Sequence, residues 1–161
     1  MTASTVARAG LLVAAMSFAG APAQAAMSPF RAMAGSWAGG GIISLADGNQ
    51  ERLRCRASYD VGDRGSALRL NLRCASDSYN FDLSSDVQYR GGAVSGEWSE
   101  ASRNASGTIE GRAAGDRIEA AASGPTFSAN LSLVTRGSRQ MVTIRPQGTD
   151  IREVSLELSR R

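Results

Sequence analysis

The side chains that could do chemistry in this chain are two cysteines, its arginines and its carboxylates, because the sequence contains no histidine and no lysine. An imidazole base, a Schiff-base amine and a Ser-Lys pair are therefore excluded, and the two cysteines are the best remaining ligands for zinc. Carboxylate pairs remain at Glu97 with Glu100 and at Asp82 with Asp86. On a strand, residues three or four apart lie on opposite faces or far along one face, so neither spacing predicts a general acid and base. We therefore predict that the protein is not an enzyme and has no catalytic residue, no metal site and no cofactor.

The two cysteines, Cys55 and Cys74, are predicted to form a disulfide across a β-hairpin. Apolar residues alternate with polar ones from Leu53 to Val61 and from Leu68 to Cys74, and residues 62–65 between them read Gly-Asp-Arg-Gly, a turn signal. A hairpin centred on this turn puts the cysteines directly opposite each other, whereas a slip of one residue would misplace every apolar side chain. Closing the loop should stabilise the fold by about 3 kcal/mol. A redox-active pair is the alternative, although the Cys-x-x-Cys spacing is absent.

The polar face of the same hairpin carries four arginines, which are Arg54, Arg56, Arg69 and Arg73. The predicted register puts Arg56 opposite Arg73, and like charges in a cross-strand pair cost stability unless something neutralises them. One interpretation is that this face binds an anion, either a lipid or polysaccharide head group or an acidic protein partner. The other is a solvated face on which neighbouring carboxylates spread the arginines. Which face of the hairpin points inward is left open by the sequence.

The rest of the chain repeats the period-two alternation typical of β-strands and has no convincing amphipathic helix. We therefore predict an all-β fold with one disulfide, specifically a small antiparallel up-and-down β-barrel, with a β-sandwich as the alternative. Gly39-Gly40-Gly41 is interpreted as a bend in the first strand and not as a phosphate-binding loop, because no helix follows it. The predicted strands are 36–45, 53–61, 68–74, 79–89, 94–98, 106–112, 117–122, 127–133, 140–145 and 154–158.

Residues 1–25 are predicted to be a signal peptide, because Arg8 precedes an apolar run from Ala9 to Ala19 and small residues follow up to Ala25. The run is too short to cross a bilayer, so cleavage after Ala25 would leave residues 26–161 as one domain with no transmembrane segment. Loss of Arg8 lowers the net charge from +3 to +2, which is not typical of a nucleic-acid-binding protein. We predict a periplasmic or secreted protein, where a pair of cysteines is expected to be oxidised.

The start of the first predicted strand, Gly35-Ser36-Trp37, resembles the Gly-x-Trp signature that opens the barrel of lipocalins and other calycins, and Trp98 resembles a core tryptophan of that group. This resemblance implies a barrel whose mouth admits a small, mostly apolar ligand while Trp37 closes the opposite end. The other lipocalin motifs and the biotin-binding pattern of avidins are not recognisable. The mature chain also resembles uncharacterised exported proteins of alphaproteobacteria, a resemblance that implies no activity.

Two functions from different classes follow from these observations. In the first, the barrel binds a small apolar or amphipathic ligand, and the candidate cavity-lining residues are Trp37, Tyr59, Tyr79, Phe81 and Trp98; the alternative is that these aromatics fill a closed core. In the second, the protein is an envelope interaction module or a hydrolase inhibitor that binds a macromolecule through its arginine face or through loops such as 75–78 and 136–138. The oligomeric state is left open.

Overall fold

The alternating pattern of the sequence folds into ten antiparallel strands, which the computed structural model describes over residues 27–161. The predicted signal peptide, residues 1–25, lies outside the described residues. Two short 3-10 helices accompany the strands: Pro29–Met33, here called the N-terminal helix, and Asp63–Gly65. The strands are β1 Gly35–Leu45, β2 Gln50–Gly62, β3 Ala67–Ala75, β4 Asn80–Arg90, β5 Ala93–Glu100, β6 Ala105–Ala114, β7 Arg117–Ser123, β8 Ser128–Arg136, β9 Arg139–Gln147 and β10 Ile151–Arg160.

Each strand pairs with the next one along the chain, and β1 pairs with β10, so the sheet closes into a barrel. The predicted up-and-down barrel is therefore confirmed over the alternative sandwich. Tight turns allow this meander, as at Gly115 and Gly137, whose positive φ angles suit glycine. Because successive strands run in opposite directions, the turns fall into two sets. The turns after β1, β3, β5, β7 and β9 lie at what we call the open end, and those after β2, β4, β6 and β8 lie at the closed end.

The disulfide hairpin has the predicted register. Strands β2 and β3 pair Cys55 with Cys74 and Arg56 with Arg73. The two cysteines form a disulfide with their Cα atoms 4.1 Å apart, and both are buried. The disulfide face of the hairpin therefore points into the barrel and the arginine face points to solvent. A disulfide of this kind is typical of proteins that fold in an oxidising compartment.

Two glycines of the triple-glycine segment allow β1 to approach β10 closely. A Cβ atom at Gly39 would lie 2.0 Å from the carbonyl oxygen of Glu157, and one at Gly41 would lie 1.8 Å from that of Ser155. No side chain fits at these distances, so the glycines allow the close approach of the two strands, whose register is continuous at these positions.

The closed end is filled by apolar and aromatic side chains beneath the N-terminal helix. Trp37 on β1 donates from its indole Nε1 to the carbonyl oxygen of Met33 at 2.7 Å. The Trp37 ring meets Tyr59 edge-on at 6.4 Å between centroids, and Phe30 of the helix meets Tyr89 edge-on at 6.0 Å. Because these side chains are almost completely buried, this end of the barrel is a packed core.

A chain of hydrogen bonds satisfies the polar groups buried at the closed end. The Tyr59 hydroxyl donates to Oε1 of Gln140 at 2.6 Å, and Nε2 of Gln140 donates to Oγ1 of Thr135 at 3.1 Å. Burial raises the pKa of the Tyr59 hydroxyl well above its usual range, although the hydrogen bond to Gln140 acts in the opposite direction. Tyr59 therefore stays neutral and donates its proton within the core.

Candidate ligand cavity at the open end

The open end of the barrel contains a cavity of about 270 Å³. Inward-facing residues of β3, β4, β5, β6, β9 and β10 form its wall, because the alternation of a strand puts every second side chain on the interior face. The volume lies near the lower end of the roughly 300–1,000 Å³ that is usual for ligand pockets. The apolar side chains of the wall include Leu72, Leu83, Ile144, Val154 and Leu156.

Aromatic rings form one side of this wall and are held in place by specific contacts. Trp98 on β5 meets Phe127, in the turn between β7 and β8, edge-on at 5.6 Å between ring centroids. The indole Nε1 of Trp98 donates to the carbonyl oxygen of Ser123 at 3.3 Å. Phe81 on β4 also lines the cavity and stacks on Tyr79 with ring centroids 6.3 Å apart. Each aromatic ring of the wall is therefore packed against a second aromatic ring.

Polar residues border the cavity where it opens, and we call Glu100, Arg103, Thr126 and Thr149 its polar mouth. Glu100 is 6% exposed, yet its carboxylate has hydrogen-bond donors on both oxygens. Oε1 accepts from the backbone N–H of Asp82 at 2.8 Å and of Ser102 at 3.2 Å. Oε2 accepts from the backbone N–H of Arg103 at 2.9 Å and from its Nη1 at 3.3 Å. Burial opposes the ionisation of Glu100, but these donors outweigh it and hold the pKa of Glu100 below its usual range.

Arg103 links this carboxylate to the aromatic wall. Its Nη1 also donates to the carbonyl oxygen of Asn80 at 3.0 Å, and its guanidinium carbon lies 4.9 Å from the centroid of the Phe81 ring. The side chain remains 46% exposed. Arg103 is therefore fixed beside the entrance while part of its guanidinium remains accessible to solvent.

The structure separates the five aromatic residues that the sequence analysis named as candidate lining residues. Phe81 and Trp98 lie in the wall of the cavity. Tyr79 lies at the rim, where it stacks on Phe81 and donates its hydroxyl to Oδ2 of Asp150 at 2.9 Å. Trp37 and Tyr59 take no part in this wall, because the N-terminal helix covers them at the closed end.

The sequence predicts neither Arg103 nor Phe127 as a site residue, and it places Glu100, named only as a carboxylate near Glu97, beyond the end of the predicted strand 94–98. Strand β5 instead continues to Glu100. The available signal was the alternation itself, since Glu100 follows Trp98 by two residues and shares its face of the strand.

The arginine face of the disulfide hairpin is exposed and partly neutralised by β4. Arg69 forms a salt bridge with Asp86 at 2.8 Å, and Arg73 forms one with Asp82 at 3.3 Å. Within residues 27–161, Arg54 and Arg56 form no salt bridge. Among these four arginines, the salt bridges of the described residues therefore involve those of β3 and not those of β2.

In the part of the chain that the structure describes, no group of three or more cysteine and carboxylate side chains could hold a metal ion. No helix among residues 27–161 is long and apolar enough to cross a membrane.

Comparison with known proteins shows similarity in fold alone. No protein-family model matches the chain, and no curated protein matches its sequence. Solved structures do match. Rv2717c from M. tuberculosis superimposes with a TM-score of 0.66 and 14% identity, covering 84% of this chain and 99% of that one. The S-type phycobiliprotein lyase CPES from Guillardia theta superimposes with a TM-score of 0.60 and 13% identity, covering 82% of this chain and 89% of that one. The barrel is therefore calycin-like in fold, as the Gly-x-Trp resemblance implied.

Proposed function

We propose that the mature chain is a periplasmic or secreted barrel that binds a small apolar or amphipathic ligand in the cavity at the open end. The observation that carries this proposal is the difference between the two ends. The closed end is packed with aromatic rings, whereas the open end keeps an apolar cavity of about 270 Å³. Contact with the wall would supply the affinity, at about 25 cal/mol per Å² of apolar surface buried, and the polar mouth would orient the ligand.

Phe81 and Trp98 are the residues proposed to contact the ligand. Both line the cavity, and each is held by a second aromatic ring, which keeps the contact surface ordered. Tyr79 supports Phe81 from the rim. Trp37 and Tyr59 are proposed to act through the stability of the closed end and not through contact with the ligand.

Binding is proposed without catalysis and without a cofactor. Glu100 is the one carboxylate that lines the cavity among the described residues, and its two oxygens already accept four hydrogen bonds. A general base needs a lone pair that can reach the proton of a substrate, so Glu100 is poorly placed for that role. The lyase activity of the protein from Guillardia theta is a property of that protein, and a shared fold does not carry it over.

Native mass spectrometry of the oxidised chain 26–161, purified from the compartment to which it is exported, tests the proposal. We expect a mass above that of the bare chain, with the excess lost on denaturation. The matched variants are Ala105→Phe, which adds a ring to the cavity wall, and Ala93→Phe, which adds one to an exposed position near the closed end. Ala105→Phe should lose the additional mass and Ala93→Phe should keep it. A bare mass for the wild-type protein, together with no uptake of added aliphatic alcohols, would overturn the proposal.

A second candidate function is anion binding by the arginine face, in an envelope interaction or inhibitor module. It is favoured by Arg54 and Arg56, whose charges are unpaired among the described residues, and by the like-charge pair of Arg56 with Arg73. The double variant Arg56→Gln, Arg73→Gln should lose retention on vesicles of anionic phospholipid at low salt. The control Arg90→Gln, Arg112→Gln removes the same amount of charge from other strands, and this variant should still be retained on the vesicles. Equal retention of both variants would remove this candidate.

A further inference from the structure

We propose that the ligand of the cavity carries a carboxylate head group and that Arg103 is the residue that selects it. This inference rests on the proposed ligand-binding function and adds a ligand class to it: an aliphatic or aromatic acid whose apolar body enters the cavity. It follows from which hydrogen-bonding positions at the polar mouth are occupied and which are free.

Glu100 has no free capacity to accept a hydrogen bond. A carboxylate offers about four lone-pair positions. Three backbone N–H groups and Nη1 of Arg103 occupy them, two on each oxygen. A ligand that donates hydrogen bonds, such as an amine, would have to displace one of these partners to reach Glu100.

Thr149 is also occupied by the fold. Its Oγ1 donates to the carbonyl oxygen of Ile151 at 3.3 Å and accepts from the backbone N–H of the same residue at 3.1 Å. The carboxylate of the mouth is therefore fully used by the protein itself, and the Thr149 hydroxyl already donates its hydrogen bond to Ile151.

Free donors are present at the mouth. A guanidinium has five N–H groups, and Arg103 makes both of its side-chain hydrogen bonds within residues 27–161 through Nη1. Its Nε and Nη2 have no acceptor in the described structure, and these two nitrogens form one edge of the guanidinium. That edge matches the two oxygens of a carboxylate, a pairing with both charge and geometric specificity. The exposed Thr126, which also lines the cavity, adds a hydroxyl that can donate.

The side chain of Arg103 lies beside the apolar part of the cavity. Its guanidinium packs over Phe81, a residue of the cavity wall, while Asn80 and Glu100 hold Nη1. Because the guanidinium is fixed in advance, little side-chain entropy remains to be lost when a carboxylate binds. An ammonium group in the same place would face the positive charge of Arg103 and would find no carboxylate oxygen with a free lone pair among the described residues that line the cavity.

Calorimetric titration with octanoate, octanol and octylamine tests the inference, since the three probes share one apolar chain. We expect octanoate to bind most tightly and octylamine most weakly. Arg103→Gln should weaken octanoate binding about tenfold or more and weaken octanol binding far less, because octanoate loses a charge-assisted pair that octanol does not make. Arg103→Lys keeps the charge but lacks the two-nitrogen edge, so its affinity for octanoate should lie between those of the wild-type protein and Arg103→Gln. Arg112→Gln on the exposed outer face of β6 is the matched control and should bind octanoate as the wild-type protein does.

The outcomes separate this inference from the function on which it rests. Octanoate binding that is unchanged in Arg103→Gln, or octylamine binding as tight as that of octanoate, would overturn the role of Arg103. Binding of octanol to the wild-type protein would still support the proposed ligand-binding function of the cavity. Failure of all three probes to bind the wild-type protein would overturn both. Thermal unfolding of each variant identifies any loss of binding that comes from loss of fold.

Discussion

The guanidinium carbon of Arg160 lies 4.4 Å from the centroid of the Trp37 ring. The same guanidinium donates hydrogen bonds to the carbonyl oxygens of Ala34 and Ala32, just before β1 and in the N-terminal helix. One side chain of the last strand thus fastens the helix and the first strand at the closed end. The contact joins residues that are more than a hundred positions apart in the sequence, and it covers the tryptophan of the Gly-x-Trp motif.

Replacing Arg160 should therefore destabilise the barrel. Arg160→Ala loses a cation–π contact and two charge-assisted hydrogen bonds, and we expect the free energy of unfolding to fall by about 1–3 kcal/mol. Urea denaturation followed by tryptophan fluorescence measures this. The neighbouring Arg161→Ala is the control, since Arg161 donates to the carbonyl oxygen of Ser36 through its backbone N–H, which the substitution keeps. Equal stability of the two variants would contradict a special role for Arg160.

The pH dependence of stability should reveal the buried carboxylate at the mouth. The unfolded chain takes up a proton on Glu100 near its ordinary pKa of 4.5, whereas the folded state holds this pKa lower. The stability that Glu100 contributes is therefore present above about pH 4.5 and is lost as the pH falls through the depressed folded value. Glu100→Gln should be less stable than the wild-type protein at pH 7 and should lose less stability on acidification.

Glu119→Gln is a useful comparison for that experiment. Its hydrogen bond from Arg117, followed by that from Ser132, lowers the pKa of Glu119 too, but Glu119 lies on the exposed outer face. Solvent screening makes its contribution smaller. We expect Glu119→Gln to change the pH dependence less than Glu100→Gln does, and the reverse order would contradict our assignment of the hydrogen bonds at the mouth.

Reduction of the disulfide should lower stability by about 3 kcal/mol, because the unfolded chain regains the entropy of the closed loop. The measurement is chemical denaturation with and without dithiothreitol, with the redox state of Cys55 and Cys74 checked by mass. The double variant Cys55→Ser, Cys74→Ser should have low stability and no response to dithiothreitol. A reduced wild-type protein with an unchanged unfolding midpoint would show that the loop gains nothing from closure.

Lengthening the apolar chain of an alcohol ligand should strengthen its binding until the cavity is full. Each additional buried CH2 group is worth about 0.8 kcal/mol, or about fourfold in affinity. A titration series from butanol to decanol should show this increment and then a plateau once the chain exceeds the cavity. A series with no dependence on chain length would indicate that the alcohols bind outside the apolar wall.

The architecture could be predicted from the sequence because three signals in one hairpin agreed. The turn at residues 62–65, the apolar alternation on both sides and the two cysteines all require the same register, and a shift of one residue breaks every one of them. The sequence of the hairpin does not say which of its faces points inward, because that depends on how the whole barrel closes. Closure buries Cys55 and Cys74 and exposes Arg56 and Arg73.

The candidate site could be predicted only in part, because the alternation that marks an inward-facing residue does not say at which end of the barrel it lies. Trp37, Tyr59, Phe81 and Trp98 all point inward, yet the N-terminal helix covers the first two and leaves the others beside the cavity. Glu100 lies beyond the predicted strand 94–98, and its burial could not be predicted because it depends on backbone donors from the next turn and the neighbouring strand.

The pairing of β1 with β10 also sets the order of events when the chain folds. All the other strand pairings join neighbours in sequence, so each can form early as a local hairpin. The pairing of β1 with β10 needs the first and last strands together. Until β10 has been synthesised, β1 and β9 each present an unpaired edge that could join to another chain. The step most exposed to aggregation is thus the closing of this seam, and substitutions at Gly39 or Gly41, where the two strands approach most closely, should lower the yield of folded protein.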